Sequence, residues 1–473
     1  MTDKTTHGPA GQHEVSGTKD AARERSRASR LDYLISPRLW LQRIVFWGGA
    51  IAVAAAAILF AIGAEYADLL FHRAIERSQW LALIICPAGM ALVVAATRHF
   101  PGAQGSGIPQ TIAALSVYDI PGRSKLLSLR IAASKIVLTL LGLASGASIG
   151  REGPTIQIGA AIMHSVGRFA RFSRADLDRG LILAGGAAGI SAAFNTPLAG
   201  IVFAIEEMSR SFEERTSGTI LTAVIVAGVA SLAVLGDYAY FGRTSASLGF
   251  GEGWIAVAVC GVAGGLAGGL FSHLLIIASK SLPGRIGQLA SAHPVMFGAA
   301  CGLALALIGL ASGNATYGTG YHVARQVVEG SADAPWSFGL LKLVATLISY
   351  VSGIPGGIFA PSLAIGAGLG ANLAALTPYA PAAAVALLGM VAYLAGVVQA
   401  PITAFVIVME MTDNHDMVLP LMATALIATA ISRLVCHDAL YRVLAQRFLP
   451  PPAPKTQSPQ SQAPKTQNPA TKS

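Results

Sequence analysis

Charge is scarce in this sequence. Only 12% of its 473 residues are Asp, Glu, Lys or Arg, while 53% are hydrophobic; soluble domains carry roughly 25% charged residues. With a mean hydropathy of +0.59, an ordinary soluble domain is excluded and the chain reads as one that lives in lipid. Cysteine is scarce too. Cys86, Cys260, Cys301 and Cys436 lie far apart with no Cys-x-x-Cys spacing, so they read as small apolar packing residues, not as metal ligands or disulfides. There is no His-x-x-x-His arrangement, and the glycine-rich loops lack the Lys-Ser/Thr of a phosphate loop. No metal, cofactor or nucleotide is expected. The net charge of +9 comes from scattered loop residues and a basic flank of Arg23, Arg25, Arg27, Arg30, Arg38 and Arg43. No aromatic-interleaved patch suggests nucleic acid, so no nucleic-acid partner is expected. A basic flank before the first apolar span predicts a cytoplasmic N-terminus, and the first apolar run, near Ile44, is too long for a signal peptide.

Long apolar runs are present. Ile44–Ala64, Trp80–Thr97 and Ile220–Leu235 have spanning length, whereas Ile108–Val117, Thr155–Val166, Ile358–Leu369 and Pro401–Met411 are short or broken by Gly and Pro. Broken helices are tolerated at membrane depth only where they line a cavity or are buried in protein. The reading is an all-α polytopic membrane protein. Its divisions are a polar, mostly disordered segment 1–38, in which Leu31–Arg38 could form a short interfacial helix, a transmembrane domain 39–449, and a Pro/Gln/Lys-rich tail 450–473 with too little apolar content to fold.

An internal repeat organises the domain, over about 80–235 and 290–448. Aligning Lys135 with Lys342 also pairs Thr139 with Thr346, Gly150 with Gly357, Pro154 with Pro361 and Ile158-Gly159-Ala160 with Ile365-Gly366-Ala367. With small drift, Gly105-Ser106-Gly107 falls on Gly318-Thr319-Gly320 and Glu206 on Glu410. Broken helices at matching positions in two halves point to a transporter site at their interface, and inverted halves would bring the helix N-termini to the membrane centre.

Gly150-Arg151-Glu152-Gly153-Pro154 is the stretch with the most chemistry. A charged pair deep in apolar sequence is expensive unless it faces a cavity or protein. Glycines allow close backbone approach and Pro154 suits a first helical turn, so the stretch reads as a loop opening into a helix whose N–H groups face an anion. The plainer alternative is a tight interhelical turn with a snorkelling Arg. Gly105-Ser106-Gly107-Ile108-Pro109 and Gly356-Gly357-Ile358-Phe359-Ala360-Pro361 are two further glycine-rich openings, each equally compatible with an ordinary turn. Glu206-Glu207 marks either a helix–water boundary or a proton path, and Tyr441 either an aromatic-belt residue or part of a site.

Together these stretches, in this order, with Glu410-Met411-Thr412-Asp413-Asn414 and Ala439-Leu440-Tyr441, resemble the CLC family of chloride channels and chloride/proton exchangers from about residue 40 to 448. The resemblance implies that Ser106, Tyr441 and the N–H groups of Ile358 and Phe359 bind a central chloride. Gly107 also belongs to that site. An outer anion position would be formed by N–H groups near Arg151, Gly153 and Ala360. Serine at position 106 is the family variant associated with chloride over nitrate. Glu152 would be the gate and outer proton site, its protonation sensitive to chloride occupancy, and Glu207 the inner proton site. The acid at 207 favours a secondary-active exchanger. The alternative is a passive voltage- or pH-gated chloride channel of the same fold, and a membrane-embedded enzyme using Glu152 with His164 or His437 is a remote third. The resemblance further implies a homodimer in the inner membrane with both termini cytoplasmic, and chloride and protons as the transported partners. Two departures stand out: Gln110 replaces an acid often found after the first motif, and the family's soluble nucleotide-binding domains are not expected, since the tail 450–473 has too little apolar content to form them.

Overall fold

The computed structural model describes residues 37–117, 120–169, 175–209, 214–236, 239–280, 282, 284–331 and 334–449. The two polar ends, and most of the proposed interfacial helix, lie outside the described residues. The helices in chain order are α1 Pro37–Arg77, α2 Ala82–Thr97, α3 Ile108–Ser116, α4 Ile120–Leu126, α5 Leu129–Ala144, α6 Glu152–Phe169, α7 Ala175–Phe194, α8 Pro197–Phe203, α9 Glu214–Leu235 and α10 Trp254–Lys280. They continue as α11 Gly284–Ala292, α12 Pro294–Ala311, α13 Tyr321–Val328, α14 Phe338–Val351, α15 Phe359–Ala374, α16 Ala382–Val398, α17 Pro401–Thr412, α18 Val418–Val435 and α19 Leu440–Gln446. Among the described residues, six stretches are long and apolar enough to cross a membrane, including Arg43–Arg77, Gln79–Thr97 and Trp254–Lys280. The runs broken by Gly and Pro fold as helices that start or stop inside the protein, as with the nine residues of α3 and the twelve of α17. All four cysteines are buried and free.

Close helix packing replaces the hydrophobic drive that water would supply, because lipid is as apolar as the side chains. α6 crosses α7 at Gly159 and Gly185, where a Cβ on either glycine would collide with the other's carbonyl oxygen. α15 crosses α16 in the same way at Gly366 and Gly389. Gly159 and Gly366 are residues that the sequence alignment pairs.

The interrupted segments are held by buried polar groups. Lys135, in the middle of α5, donates from Nζ to the carbonyls of Ala103 (2.8 Å) and Gly105 (2.8 Å). Lys342, in α14, donates to Thr316 (2.9 Å) and Gly318 (2.7 Å). Both side chains are wholly buried. Each gathers carbonyls that the loop before a short helix leaves without ladder partners, which is why a lysine belongs in an otherwise apolar helix.

A second reciprocal device joins α8 to α17. Glu206 accepts from the N–H groups of Ile402 (3.2 Å) and Thr403 (2.6 Å) in the first turn of α17. Glu410 accepts from Leu198 (3.0 Å) and Ala199 (2.7 Å) in the first turn of α8. Both helices begin with proline, at Pro197 and Pro401, and an alanine or threonine precedes each. Thr196 makes no side-chain cap and Ala400 has none to offer, so the orphan N–H groups are satisfied by a carboxylate from the other helix, favoured further by the helix dipole.

Removing the lysine amine strands carbonyls at a cost of about 1–3 kcal/mol for each buried unsatisfied group. Lys135→Met and Lys342→Met are therefore each expected to lower the detergent melting temperature by at least about 2–4 °C. Melting curves identical to wild type would show that the carbonyls find other partners.

Candidate anion and proton site

Two backbone strips meet at the centre. Gly150 and Gly357 exchange both hydrogen bonds of an antiparallel bridge, each at 2.7 Å. Two residues beyond it on each side, α6 begins at Glu152 and α15 at Phe359. The third glycine-rich opening is laced to the same place: Gly105 donates to Ile354 (3.3 Å), Gly356 donates to Gly105 (3.1 Å), and α3 starts from Gly107 as its N-cap. Ser148 secures the approach through Ser349 Oγ (3.0 Å) and Thr346 Oγ1 (2.8 Å). Gly153 must be glycine, because a Cβ there would strike Ser106 Oγ and lie 3.3 Å from Gly357 Cα. The absence of that one carbon lets three helix starts converge.

Ser106, Ile358, Phe359 and Tyr441 are each at most 1% exposed. The rings of Phe359 and Tyr441 lie nearly parallel, 6.1 Å apart at 7°, so packing against the start of α15 fixes where the tyrosine points. The Ser106 hydroxyl lies beside that of Tyr441, yet neither makes a geometrically sound hydrogen bond among the described residues. Buried hydroxyls without partners are rare and call for an explanation such as an absent ion or ligand. Here they join the first-turn N–H groups of α15, which no helix can satisfy internally. All are neutral donors, a set suited to a dehydrated anion that must also leave. Tyr441 is thus a core residue at this site, not a member of an interfacial belt.

Glu152 is fully buried. Its carboxylate folds back over Gly150, where a Cβ would collide with Oε2, and it lies near the Ala360 N–H, the Tyr240 hydroxyl and the charge of Arg151. Arg151 does not point into the Ser106 site. Its buried guanidinium lies 5.4 Å from the centre of the Tyr240 ring and 3.7 Å from Glu65, which is 77% exposed. Arg151 and Tyr240 line a cavity of about 540 Å³ that also touches Asp68, His72 and His322. A second cavity, of about 640 Å³, reaches Ser106 by way of Gln110, Tyr350 and Leu444. Two vestibules thus approach the site, one through the partners of Glu152 and the other through Ser106. Tyr240 carries no sequence signal: it stands in the loop between α9 and α10, outside any motif.

The adjacent acids separate in role. Ala204–Ser209 is a turn of π-helix, a rare widening often found at functional sites. Within it Glu206 turns to α17 as a cap, while Glu207 is 3% exposed and acts electrostatically on Tyr441. A buried Glu207 is not a helix–water boundary residue. His164, twelve residues along α6 from Glu152 and so about 18 Å away, bonds to Asp178 (2.7 Å) and Ser124 (3.1 Å), and His437 is exposed. Neither histidine belongs to this site. No cluster of three or more metal-ligating side chains occurs among the described residues.

The comparisons with known proteins bear on the family and the fold. The chain is 34% identical over 402 residues to an H(+)/Cl(-) exchange transporter, ClcA, of Citrobacter koseri, covering 82% of this chain and 81% of that one. It is 34% identical over 385 residues to the ClcA exchanger of Klebsiella pneumoniae, covering 78% of each. The crystal structure of a slow cyanobacterial Cl−/H+ antiporter superposes with a TM-score of 0.73 at 26% identity, covering 87% of this chain and 98% of that one. A CLC-type fluoride/proton antiporter, at 23% identity, shares the fold with a TM-score of 0.71 over 85% and 96% of the two chains. Residues 88–433 match the voltage gated chloride channel family, and the chain belongs to that family, the CLC proteins.

Proposed function

We propose that the protein is a secondary-active antiporter that exchanges chloride for protons, with Glu152 as gate and outer proton site and Glu207 as inner proton site. The observation that carries this reading is the pair of buried carboxylates flanking a pocket of neutral donors: Glu152 and Glu207 both act electrostatically on Tyr441, whose hydroxyl lies beside Ser106. The exchange activity printed for the relatives at 34% identity supports it.

Ser106, Tyr441 and the N–H groups of Ile358 and Phe359, with Gly107 shaping the first helix start, hold the central chloride. An ionised Glu152 occupies the outer position by the N–H groups of Gly153 and Ala360, next to Arg151. On protonation it loses its attraction for those donors and swings toward the Tyr240 vestibule, and chloride takes its place. Anion and carboxylate compete for one set of dipoles, so each chloride step changes the proton affinity of Glu152. Glu207 receives protons from the other solution. The two halves are inverted repeats about the Gly150–Gly357 bridge, a reading supported by its antiparallel sense and by the reciprocal caps of Glu206 and Glu410. The active unit is a homodimer in the inner membrane, associating through the exposed apolar faces of α8, α9, α17 and α18, on which Leu198, Ile225, Ile402 and Leu426 stand.

In proteoliposomes, a chloride gradient is expected to drive uphill proton movement, reported by a pH dye inside the vesicle. Glu207→Gln and Glu152→Ala should each abolish that movement while chloride flux persists. Chloride flux without proton movement in the wild type would make the protein a channel of the same fold. Calorimetric chloride binding tests the central site: Ser106→Ala and Tyr441→Phe each remove a donor to an anion, a loss of about 1.5–3 kcal/mol, or roughly 10- to 100-fold in Kd. Unchanged affinity in both variants would place the anion elsewhere.

A further inference from the structure

The two vestibules differ in charge. The cavity that reaches Ser106 is bounded by the end of α10, by α11, and by the ends of α14 and α19, and two cations line it, Lys280 and Arg447. Its other polar lining side chains include Gln104, Gln110, Ser279 and Gln288, and none is acidic among the described residues. Gln110 could not be exchanged for a carboxylate without loss: its amide donates to the carbonyls of Gly102 (3.2 Å) and Gln104 (2.5 Å), which an acid cannot do. Lys280 and Arg447 are both exposed, and no ion pair engages either among the described residues. Arg447 also lies close enough to act electrostatically on Tyr350, whose hydroxyl is beside Gly105. The opposite vestibule is lined by Glu65, Asp68 and Glu76 against the single charge of Arg151, with His72 and His322 beside them.

A cation near a helix C-terminus is favoured by the dipole alone, and that accounts for either residue singly. It does not account for two such cations, from separate elements, meeting over one acid-free cavity. A cleft with low-dielectric walls and charge of one sign concentrates its counter-ion and raises the association rate by about tenfold or more.

We propose that Lys280 and Arg447 capture chloride at the mouth of the Ser106 cavity, and that the difference in charge between the mouths makes the transporter bind chloride more readily from this side than from the other. The proposal rests on the chloride-exchange reading and adds the residues that set sidedness.

The test is radioactive chloride uptake into right-side-out and inverted membrane vesicles containing the full chain, at about 20 mM and about 300 mM ionic strength, adjusted with isethionate. In wild type the KM for chloride should be lower in one orientation at low ionic strength. Lys280→Gln with Arg447→Gln should raise that KM about 3- to 10-fold in the same orientation only, with kcat within about twofold, and the difference should collapse at high ionic strength. Lys280→Arg with Arg447→Lys keeps both charges and should retain the wild-type KM. A KM that is unchanged, that rises equally in both orientations, or that ignores ionic strength overturns the proposal. Loss of kcat with no change in KM also overturns it, because the residues are then structural. Wild-type vesicles that take up chloride alongside any of these results leave the exchange reading standing; wild-type vesicles that take up none overturn both.

Discussion

A chain that interrupts its helices within a bilayer must still satisfy each backbone group that the interruption frees, because hydrocarbon offers no partners. The fold follows from how this one does so. Gly150 and Gly357 satisfy each other, the two buried lysines collect the carbonyls of the loops that precede α3 and α13, and Glu206 and Glu410 take the first N–H groups of α17 and α8. The glycine bridge and the glutamate caps join segments far apart in sequence, and each lysine ties the loop before a short helix to a longer neighbour. Among the groups left without partners after all of them, the hydroxyls of Ser106 and Tyr441 stand together beside the starts of α6 and α15. That group of donors is suited to a small anion, which is why the proposed chloride site is set there.

The same accounting explains why the charges near the site are arranged as they are. A fixed guanidinium among the central donors would hold an anion too tightly to pass it on. Arg151 instead packs over Tyr240 and faces Glu65 at the vestibule, where it biases the field without coordinating the central position. Beside the phenol of Tyr350, the ionisable groups that act on Tyr441 are two carboxylates, Glu207 and Glu152. Carboxylates can compete with chloride for N–H donors and can also carry a proton, which neither an arginine nor a serine can do at neutral pH.

Much of this was legible in the sequence, for a physical reason. Glycine, proline and charge are rare within apolar spans, so Gly-Arg-Glu-Gly-Pro and Gly-Gly-Ile-Phe-Ala-Pro stand out as helix starts, and the structure begins α6 and α15 at Glu152 and Phe359 as those residues imply. Lys135 and Lys342 marked the repeat because a lysine in mid-span is improbable without a task, although that task, gathering loop carbonyls, could not be read from spacing. Other features left no local trace. Tyr240 reaches Glu152 from a loop nearly ninety residues further along the chain. The acids at 206 and 207 are equivalent as letters, and only the π-helical turn separates a helix cap from a buried carboxyl beside Tyr441. The Arg123–Asp178–His164 chain joins residues from three helices whose pairing depends on the packing of α4 against α6 and α7.

Gln110 shows how a departure from the family pattern acquires meaning in three dimensions. In sequence it is only a missing acid. In the structure its amide ties down the loop that carries Ser106, and the described residues lining the Ser106 vestibule include cations and no acid. A carboxylate at that position would lose both donated hydrogen bonds and place a negative charge beside the anion's path. One substitution therefore bears on the rigidity of the site and on the field in front of it. These two effects can be told apart, since rigidity is insensitive to ionic strength and a field acting through water is not. Gln110→Glu is expected to raise the KM for chloride at low ionic strength through the field, and to keep part of that defect at high ionic strength through the lost bonds. A defect that vanishes completely in high salt would show that the amide's hydrogen bonds contribute nothing to holding Ser106.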